Sequence, residues 1–135
     1  MNDITIETSE DGTVVYYLGD RRDNIFHRED GPAIKALNGD ESWWYEGTKH
    51  RDGGPAEKDR WGEYWFSNGL VHREGGPAVI RTNGDLQYWH YGQLHCEDGP
   101  AIVRTDGDRK WFLFGKRVTQ TKFHEYRNAK LNTEK

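Results

Sequence analysis

The chain has 135 residues, a formal net charge of -4 at pH 7 and 13% aromatic residues. This length is typical of a single domain with its own core, and the acidic balance argues against a protein that binds nucleic acid or membranes through a basic surface. One cysteine excludes an internal disulfide, and no apolar stretch has the length of a transmembrane span or of a signal peptide, so we expect a soluble cytoplasmic protein.

The N-terminal segment, residues 1–26, predicts a degenerate hairpin that caps the rest of the chain. Its sequence ITIETSEDGTVVYYLG, which starts at Ile4, places two β-rich runs on either side of an Asp-Gly pair. Asp-Gly between such runs is a strong local signal for a hairpin turn.

One phrase then recurs through the chain. It is HREDGPA at His27, HRDGGPA at His50, HREGGPA at His72 and HCEDGPA at His95. The intervals between these histidines are 23, 22 and 23 residues, and all 16 glycines and all four prolines fall on repeat positions. A constant interval of this size is typical of a repeat array. The predicted repeats are 27–49, 50–71, 72–94 and 95–117, within one domain that covers 1–135.

Each repeat predicts two strands joined by a tight turn. A short strand follows the phrase, then a turn such as NGD at Asn38 and Asn83, then an aromatic strand such as ESWWYEG that ends in glycine. We expect both central turn residues to adopt positive φ, as in two-residue hairpin loops. The segment RWGE around Gly62 is a weaker match to this pattern.

The C-terminal segment, residues 118–135, predicts a short helix and a loose tail. From Thr119 onward it lacks glycine and proline, and Phe123 and Tyr126 are three positions apart on one helix face. We therefore expect a mainly β fold: a single-layer antiparallel β-hairpin array, closed by a capping helix. A sandwich or barrel is the alternative, but the uniform step without long connections favours one meandering sheet.

Aromatic, glycine and histidine residues also share a fixed spacing. The skeleton is Trp44-x-x-Gly47-x-x-His50, Phe66-x-x-Gly69-x-x-His72 and Trp89-x-x-Gly92-x-x-His95. It resembles the MORN repeat, and the longer phrase is similar to the MORN-like repeats found in many bacteriophages and large DNA viruses. The resemblance extends from about Tyr16 to Gly115, where the next histidine is replaced by Val118. It implies a curved hairpin array without catalytic machinery that serves as a scaffold for protein partners.

The phrase histidines suit a structural role better than a metal site. Equivalent residues of adjacent repeats lie two strands apart, roughly 9–10 Å, whereas zinc ligands must converge within a few ångströms. We expect each ring to bond a backbone group, and Arg28, Arg51 and Arg73 to pair with carboxylates across the array. No metal and no cofactor is predicted.

The aromatic strands provide the candidate binding surface. Counting back from the closing glycine puts Trp43, Trp65, Tyr88 and Trp111 on one face and Tyr16, Trp44, Phe66, Trp89 and Phe112 on the other. One face is expected to be core, and the other to be partly exposed for a partner. The predicted binding residues are Trp44, Trp65, Trp89, Trp111, Arg51, Arg73, His50 and His72.

These features predict a non-enzymatic protein-interaction module. If the chain is phage-encoded, it would bind or inhibit a bacterial host or defence factor in the host cytoplasm. The alternatives are a nucleotide-binding or nucleotide-sequestering protein and a structural virion component. An exposed edge strand would also permit a homodimer.

Overall fold

The computed structural model describes residues 3–133, which form mainly antiparallel β-structure. The strands are β1 (Ile4–Thr8), β2 (Val14–Leu18), β3 (Ile34–Lys35), β4 (Glu41–Ser42), β5 (Trp44–Tyr45), β6 (Thr48–Lys49), β7 (Glu57–Asp59), β8 (Gly62–Tyr64), β9 (Phe66–Ser67), β10 (Leu70–Val71), β11 (Val79–Arg81), β12 (Leu86–Gln87), β13 (Trp89–His90), β14 (Gln93–Leu94), β15 (Ile102–Val103), β16 (Arg109–Leu113) and β17 (Lys116–Val118). A 3-10 turn covers Arg21–Asp23, and helix α1 covers Gln120–Thr133. The predicted mainly β fold and C-terminal helix are confirmed. The ends of the predicted cap and tail, residues 1–2 and 134–135, lie outside the described residues.

Most strands belong to one sheet whose order follows the chain. Its 11 strands are arranged β1-β2-β3-β4-β7-β8-β11-β12-β15-β16-β17, with antiparallel pairing throughout. The strands left over form three separate two-stranded sheets, β5-β6, β9-β10 and β13-β14. The prediction of one unbroken sheet is therefore wrong in one respect, because the aromatic strands of the middle repeats are each split into two short strands.

A single residue separates the two halves of each split strand. These break residues are Trp43, Trp65 and Tyr88. Each donates its N–H to the carbonyl of an alanine in the next phrase, as from Trp43 to Ala56 at 2.6 Å, and its carbonyl accepts the N–H of the next phrase histidine, as from His50 at 3.0 Å. The chain thus leaves the large sheet at the break residue and returns to it through the phrase.

The phrase alanines are completely buried. Ala33, Ala56, Ala78 and Ala101 are all 0% exposed, whereas the tryptophan rings are half-buried or exposed. Each break residue donates its N–H to the carbonyl of one of these alanines, which brings the two backbones close together. The side chain at this close approach is only a methyl group.

The small hairpins form a second row beside the large sheet. Each is tied to the preceding repeat by one hydrogen bond from its turn glycine, such as Gly69 N–H to the carbonyl of Lys49 at 2.8 Å and Gly92 N–H to that of Val71 at 2.8 Å. Gly115, in the turn between β16 and β17, makes the same bond to Leu94 at 2.9 Å and continues the row.

The turns differ from the prediction in type. At NGD, Gly39 alone has positive φ (98°), and Ala36 bonds to both Gly39 and Asp40, which is a three-residue loop with a bulged glycine. The two-residue turns with positive φ at both positions lie in the second row instead, for example at Glu46 (φ 47°) and Gly47 (φ 79°). The predicted turn glycine Gly62 lies within β8.

Helix α1 closes the C-terminal side of the sheet. Thr119 begins it by accepting the Lys122 N–H at 3.1 Å through its hydroxyl, and Phe123 is 1% exposed. Tyr126 and Lys130 both contact Glu97 of the fourth phrase. In the described part of the chain, no helix combines the length and apolarity needed to span a bilayer.

Candidate functional site

Each phrase histidine joins the start of its repeat to the turn near the end of the same repeat. In each ring Nδ1 accepts the backbone N–H of a residue in that turn. The pairs are His27 with Glu46 at 2.8 Å, His50 with Asn68 at 3.0 Å, His72 with Tyr91 at 3.0 Å and His95 with Phe114 at 2.9 Å. This confirms the prediction that each ring bonds a backbone group. Because Nδ1 is the acceptor, the proton of the neutral ring is carried by Nε2.

The turn residues bonded in this way have positive φ. Glu46, Asn68, Tyr91 and Phe114 have φ values of 47°, 47°, 44° and 52°. Asparagine tolerates this left-handed conformation, but it is disfavoured for bulky side chains such as Tyr91 and Phe114. The histidine acceptor helps to stabilise the strained turn, because it satisfies the N–H of the residue that adopts it.

Exposed aromatic rings lie on three of these histidines. Tyr45, Tyr91 and Phe114 are 45%, 53% and 54% exposed. Their ring centroids lie 4.7 Å from His27, 3.8 Å from His72 and 4.3 Å from His95, respectively. The second row therefore presents aromatic side chains to solvent, each resting on an imidazole of the preceding phrase.

The phrase arginines lie over aromatic rings. Their Cζ atoms are 4.2 Å from the ring centroid of Tyr16 for Arg28, 3.9 Å from that of Trp43 for Arg51 and 3.7 Å from that of Trp65 for Arg73. In each case Nη1 also donates to the carbonyl of the proline in the same phrase, at 3.1 to 3.3 Å. The predicted ion pairs across the array are wrong, because within the described residues Arg28 pairs inside its own phrase, with Asp30, and Arg51 and Arg73 have no carboxylate partner.

The fourth phrase lacks this arginine, and a pocket lies there. Cys96 occupies the arginine position, with Tyr88 as the equivalent ring and Pro100 as the equivalent proline. A Cβ added to Gly31, Gly54 or Gly76 would come within 2.6 to 3.0 Å of the phrase arginine, whereas a Cβ at Gly99 would meet nothing within 4 Å. Tyr88, Cys96, Gly99 and Pro100 all line an open pocket of about 800 Å3.

Carboxylates dominate the charge around this pocket. Glu74, Glu97 and Asp98 line it, and the lining cation Arg73 is already stacked on Trp65. The pKa of Glu97 lies below its ordinary value, chiefly because Lys130 donates to its carboxylate at 2.5 Å. This ion pair therefore favours the ionised form of the carboxylate.

His95, at the wall of the same pocket, resists protonation. Burial lowers the pKa of its imidazole, and the neighbouring Glu97 offsets this only in part. Its two nitrogens are both engaged, Nδ1 by the Phe114 N–H and Nε2 by Glu97 at 3.5 Å. His95 is thus poorly placed to take a proton from the adjacent Cys96, as a thiol nucleophile would require.

Another cluster, formed by His72, Glu74 and His90, has the spacing of a metal site. One donor atom from each residue lies within 4.8 Å of the others. However, Nδ1 of His72 accepts the Tyr91 N–H, so the nitrogen that faces Glu74 at 3.1 Å carries the proton. A metal ligand must be unprotonated, so this nitrogen donates to Glu74 instead of binding a cation.

The structure separates the residues predicted to bind a partner. The break residue Trp65 and Trp111 belong to one row, and Trp44 and Trp89 follow the break residues in the other. All four are half-buried, and of the eight predicted residues only Arg73 and Trp89 line the pocket at the fourth phrase. Tyr16 was predicted in the row of Trp44, but it bonds the carbonyl of Ala33 as Trp43 bonds Ala56, and so it belongs with the break residues.

Tyr91 and Phe114 were missed as exposed rings because each stands immediately before the turn glycine rather than within a strand. Their signal in the sequence is an aromatic residue immediately before that glycine, as in YG at Tyr91 and FG at Phe114.

Comparisons of the chain with protein-family models, with curated proteins and with solved structures found no match. The resemblance to MORN-like repeats therefore stays a prediction from the sequence motifs.

Proposed function

We propose that the chain is a non-enzymatic protein-interaction module whose binding surface is formed by the phrases and the second-row turns. The observation that supports this most is the pair Tyr91 and Phe114, which expose apolar rings while holding a positive φ. Asn68 occupies the equivalent turn at lower conformational cost. Exposed rings kept in a strained conformation are typical of binding surfaces.

The chemistry of the pocket favours binding over catalysis. Cys96 is the thiol that lines it, and its neighbour His95 already uses both ring nitrogens. The other imidazole that lines the pocket, His90, lies 3.8 Å from the Glu74 carboxylate, which is beyond hydrogen-bond distance, so the two are not aligned as a general base. The polar groups of the pocket are therefore suited to hold a ligand.

The nucleotide alternative fits the pocket charge poorly. A phosphate group calls for arginine, lysine or free backbone N–H donors. Around this pocket Glu74, Glu97 and Asp98 would repel it, and Arg73 is committed to Trp65 and Pro77. A protein surface with basic residues complements these acids better.

The MORN-like resemblance supports a bacterial partner. Under this hypothesis the chain is a phage protein that binds a host or defence factor, and the virion component is the structural alternative. Self-assembly of the purified chain, measured by size-exclusion chromatography, would favour the virion alternative or a homodimer.

A capture experiment tests the proposal. Tagged protein is incubated with bacterial lysate at near-physiological salt, and captured proteins are identified by mass spectrometry and then purified for calorimetry. The double variant Tyr91→Asn/Phe114→Asn should keep the fold, because asparagine tolerates the turn conformation, and should bind the purified partner at least tenfold more weakly.

The matched control changes two exposed apolar residues in the turns of the large sheet, Leu37→Asn and Trp61→Asn. It should bind as the wild type does. Equal binding by both double variants, or the absence of any partner that binds the purified wild type, would count against the proposal.

A further inference from the structure

Three phrases carry a guanidinium group in one repeated setting. The group lies between an aromatic ring and the α-carbon of a phrase glycine, and it donates to the proline carbonyl. In the first phrase Arg28 Nε also donates to Asp30 at 3.0 Å. This setting therefore has four parts: a ring, a glycine, a carbonyl acceptor and, where present, an aspartate.

The fourth phrase keeps all four parts and lacks only the guanidinium. Tyr88 is the ring, Gly99 the glycine, Pro100 the acceptor and Asp98 the aspartate. We propose that this pocket binds a guanidinium group, supplied by an arginine side chain of the partner protein. The inference rests on the proposed function and names the chemical group by which the partner is recognised.

The geometry selects guanidinium over an ammonium group. A guanidinium is flat, so it stacks on a ring while its edge donates to a carbonyl and a carboxylate together. A lysine ammonium has no planar face to lie between Tyr88 and Gly99. Uncharged analogues of arginine lack the attraction to Asp98 and Glu74, which line the same pocket.

Cations of the chain that lie near the pocket already have partners. Arg127 donates to the backbone carbonyl of Asp98 at 3.3 Å from helix α1, and it lines an adjoining, smaller pocket that shares Glu97 and Asp98. Lys130 in turn pairs with Glu97. Arg73 fills the equivalent site of the third phrase, where it stacks on Trp65 and donates to the Pro77 carbonyl.

The rim of the pocket suits a side chain presented by a protein. Trp89, His90 and Phe114 line it alongside the guanidinium setting, and the ring of Phe114 is 54% exposed. These groups offer apolar contact to the residues that flank an arginine in a partner, which a free guanidine would lack.

Protection of Cys96 from alkylation tests the pocket chemistry. Cys96 is the only cysteine of the chain and lines the pocket, so its reaction with a thiol reagent reports occupancy. A capped arginine peptide at millimolar concentration should slow the reaction at least threefold, while matched lysine and citrulline peptides should leave it unchanged. Equal protection by the lysine peptide, or no protection by the arginine peptide, would overturn the proposal.

The variant Gly99→Ala separates binding from folding. A Cβ at Gly99 meets nothing within 4 Å, but at the equivalent Gly54 it would lie 2.6 Å from the guanidinium carbon of Arg51. The variant should therefore keep the wild-type melting temperature and lose the protection by the arginine peptide. Retained protection in a folded Gly99→Ala protein would contradict the proposed position of the group.

Free arginine in place of the peptide tests whether the guanidinium group comes from a small molecule. Protection by free arginine as strong as that by the peptide would overturn the assignment to a partner side chain.

Partner binding distinguishes this inference from the proposed function. Cys96→Arg supplies the absent side chain internally, and it should weaken binding of the captured partner at least tenfold, whereas Cys96→Ser should bind like the wild type. If the partner binds wild type and Cys96→Arg equally, the guanidinium inference fails while the proposed function stands. If the arginine peptide protects Cys96 but no partner binds the wild type, the proposed function fails, and with it the assignment of the group to a partner.

Discussion

The imidazole of each phrase histidine accepts a backbone N–H from a turn with positive φ, and this single atom ties the phrase to the turn near the end of the same repeat. Protonation of Nδ1 would replace the acceptor by a donor that faces another donor. At His95 burial lowers the pKa below its ordinary value of 6.5, so the folded protein binds fewer protons than the unfolded chain between the two values. Stability should thus decrease as the pH falls from 6.5 towards the folded-state pKa, and this contribution should be fully retained above 6.5.

The variant His95→Asn tests this dependence. Its amide oxygen can accept the Phe114 N–H in place of Nδ1 but does not titrate. Thermal unfolding between about pH 8 and about pH 5 should show a smaller decrease in Tm for the variant than for the wild type, since the loss from this site is removed. The other phrase histidines are common to both proteins and serve as the internal reference. Parallel curves for the two proteins would show that His95 does not contribute.

At the scale of the element, close approaches between strands determine which glycines are required for steric reasons. Gly62 lies in β8, opposite Arg81 of β11, and a Cβ there would overlap the carbonyl oxygen of Ile80. Gly99 has neither this crowding nor a positive φ. Of these two glycines, only Gly62 is required by its neighbour.

We expect Gly62→Ala to destabilise the protein by about 1–3 kcal/mol, because the backbone of β11 must move to admit the methyl group. Gly99→Ala is the matched control and should change stability by less than about 0.5 kcal/mol. Denaturant unfolding followed by tryptophan fluorescence measures both. A Gly62→Ala protein as stable as the control would show that the strands separate at little cost.

For the whole molecule, the strand order restricts contacts in the large sheet to neighbouring repeats. Strand β4 pairs with β7 through Ser42 and Glu57, and β8 pairs with β11 through Tyr64 and Val79. The two junctions are equivalent, so β4 and β11 have the backbone geometry to pair directly. Stability in such an array is approximately a sum of repeats and their interfaces.

Deletion of residues 50–71, one predicted repeat, should therefore leave a folded protein. In the shortened chain Arg73 should lie over Trp43, where Arg51 lies in the intact chain. The Tm of the shortened protein should fall, but its circular dichroism spectrum should stay of the β type. The control, deletion of residues 50–64, breaks the repeat phase and should not fold. Unfolding of both shortened chains would show that the array depends on contacts beyond nearest neighbours.

Local chemistry made much of this architecture predictable. The interval between the phrases and the turn glycines led to antiparallel hairpins in chain order, and Phe123 within a segment free of glycine and proline indicated the closing helix. The type of each turn was assigned wrongly because Asn-Gly suits several hairpin loops. Only the hydrogen bonds of Ala36 distinguish the three-residue loop at Gly39 from a two-residue one.

By itself the sequence determined the repeat period, the antiparallel order and the terminal helix, because these depend on residues close together in the chain. Tertiary structure alone decided which rings are exposed and where the arginines lie, since Arg73 reaches Trp65 of the preceding repeat and Nδ1 of His72 reaches Tyr91 of the following small hairpin. From the sequence alone, the replacement of arginine by Cys96 is explained by divergence of one repeat. The packing shows that an arginine side chain at this position would have covered the pocket beside Tyr88. A missing side chain creates a pocket only where its neighbours keep their places, and this depends on contacts between strands of different repeats.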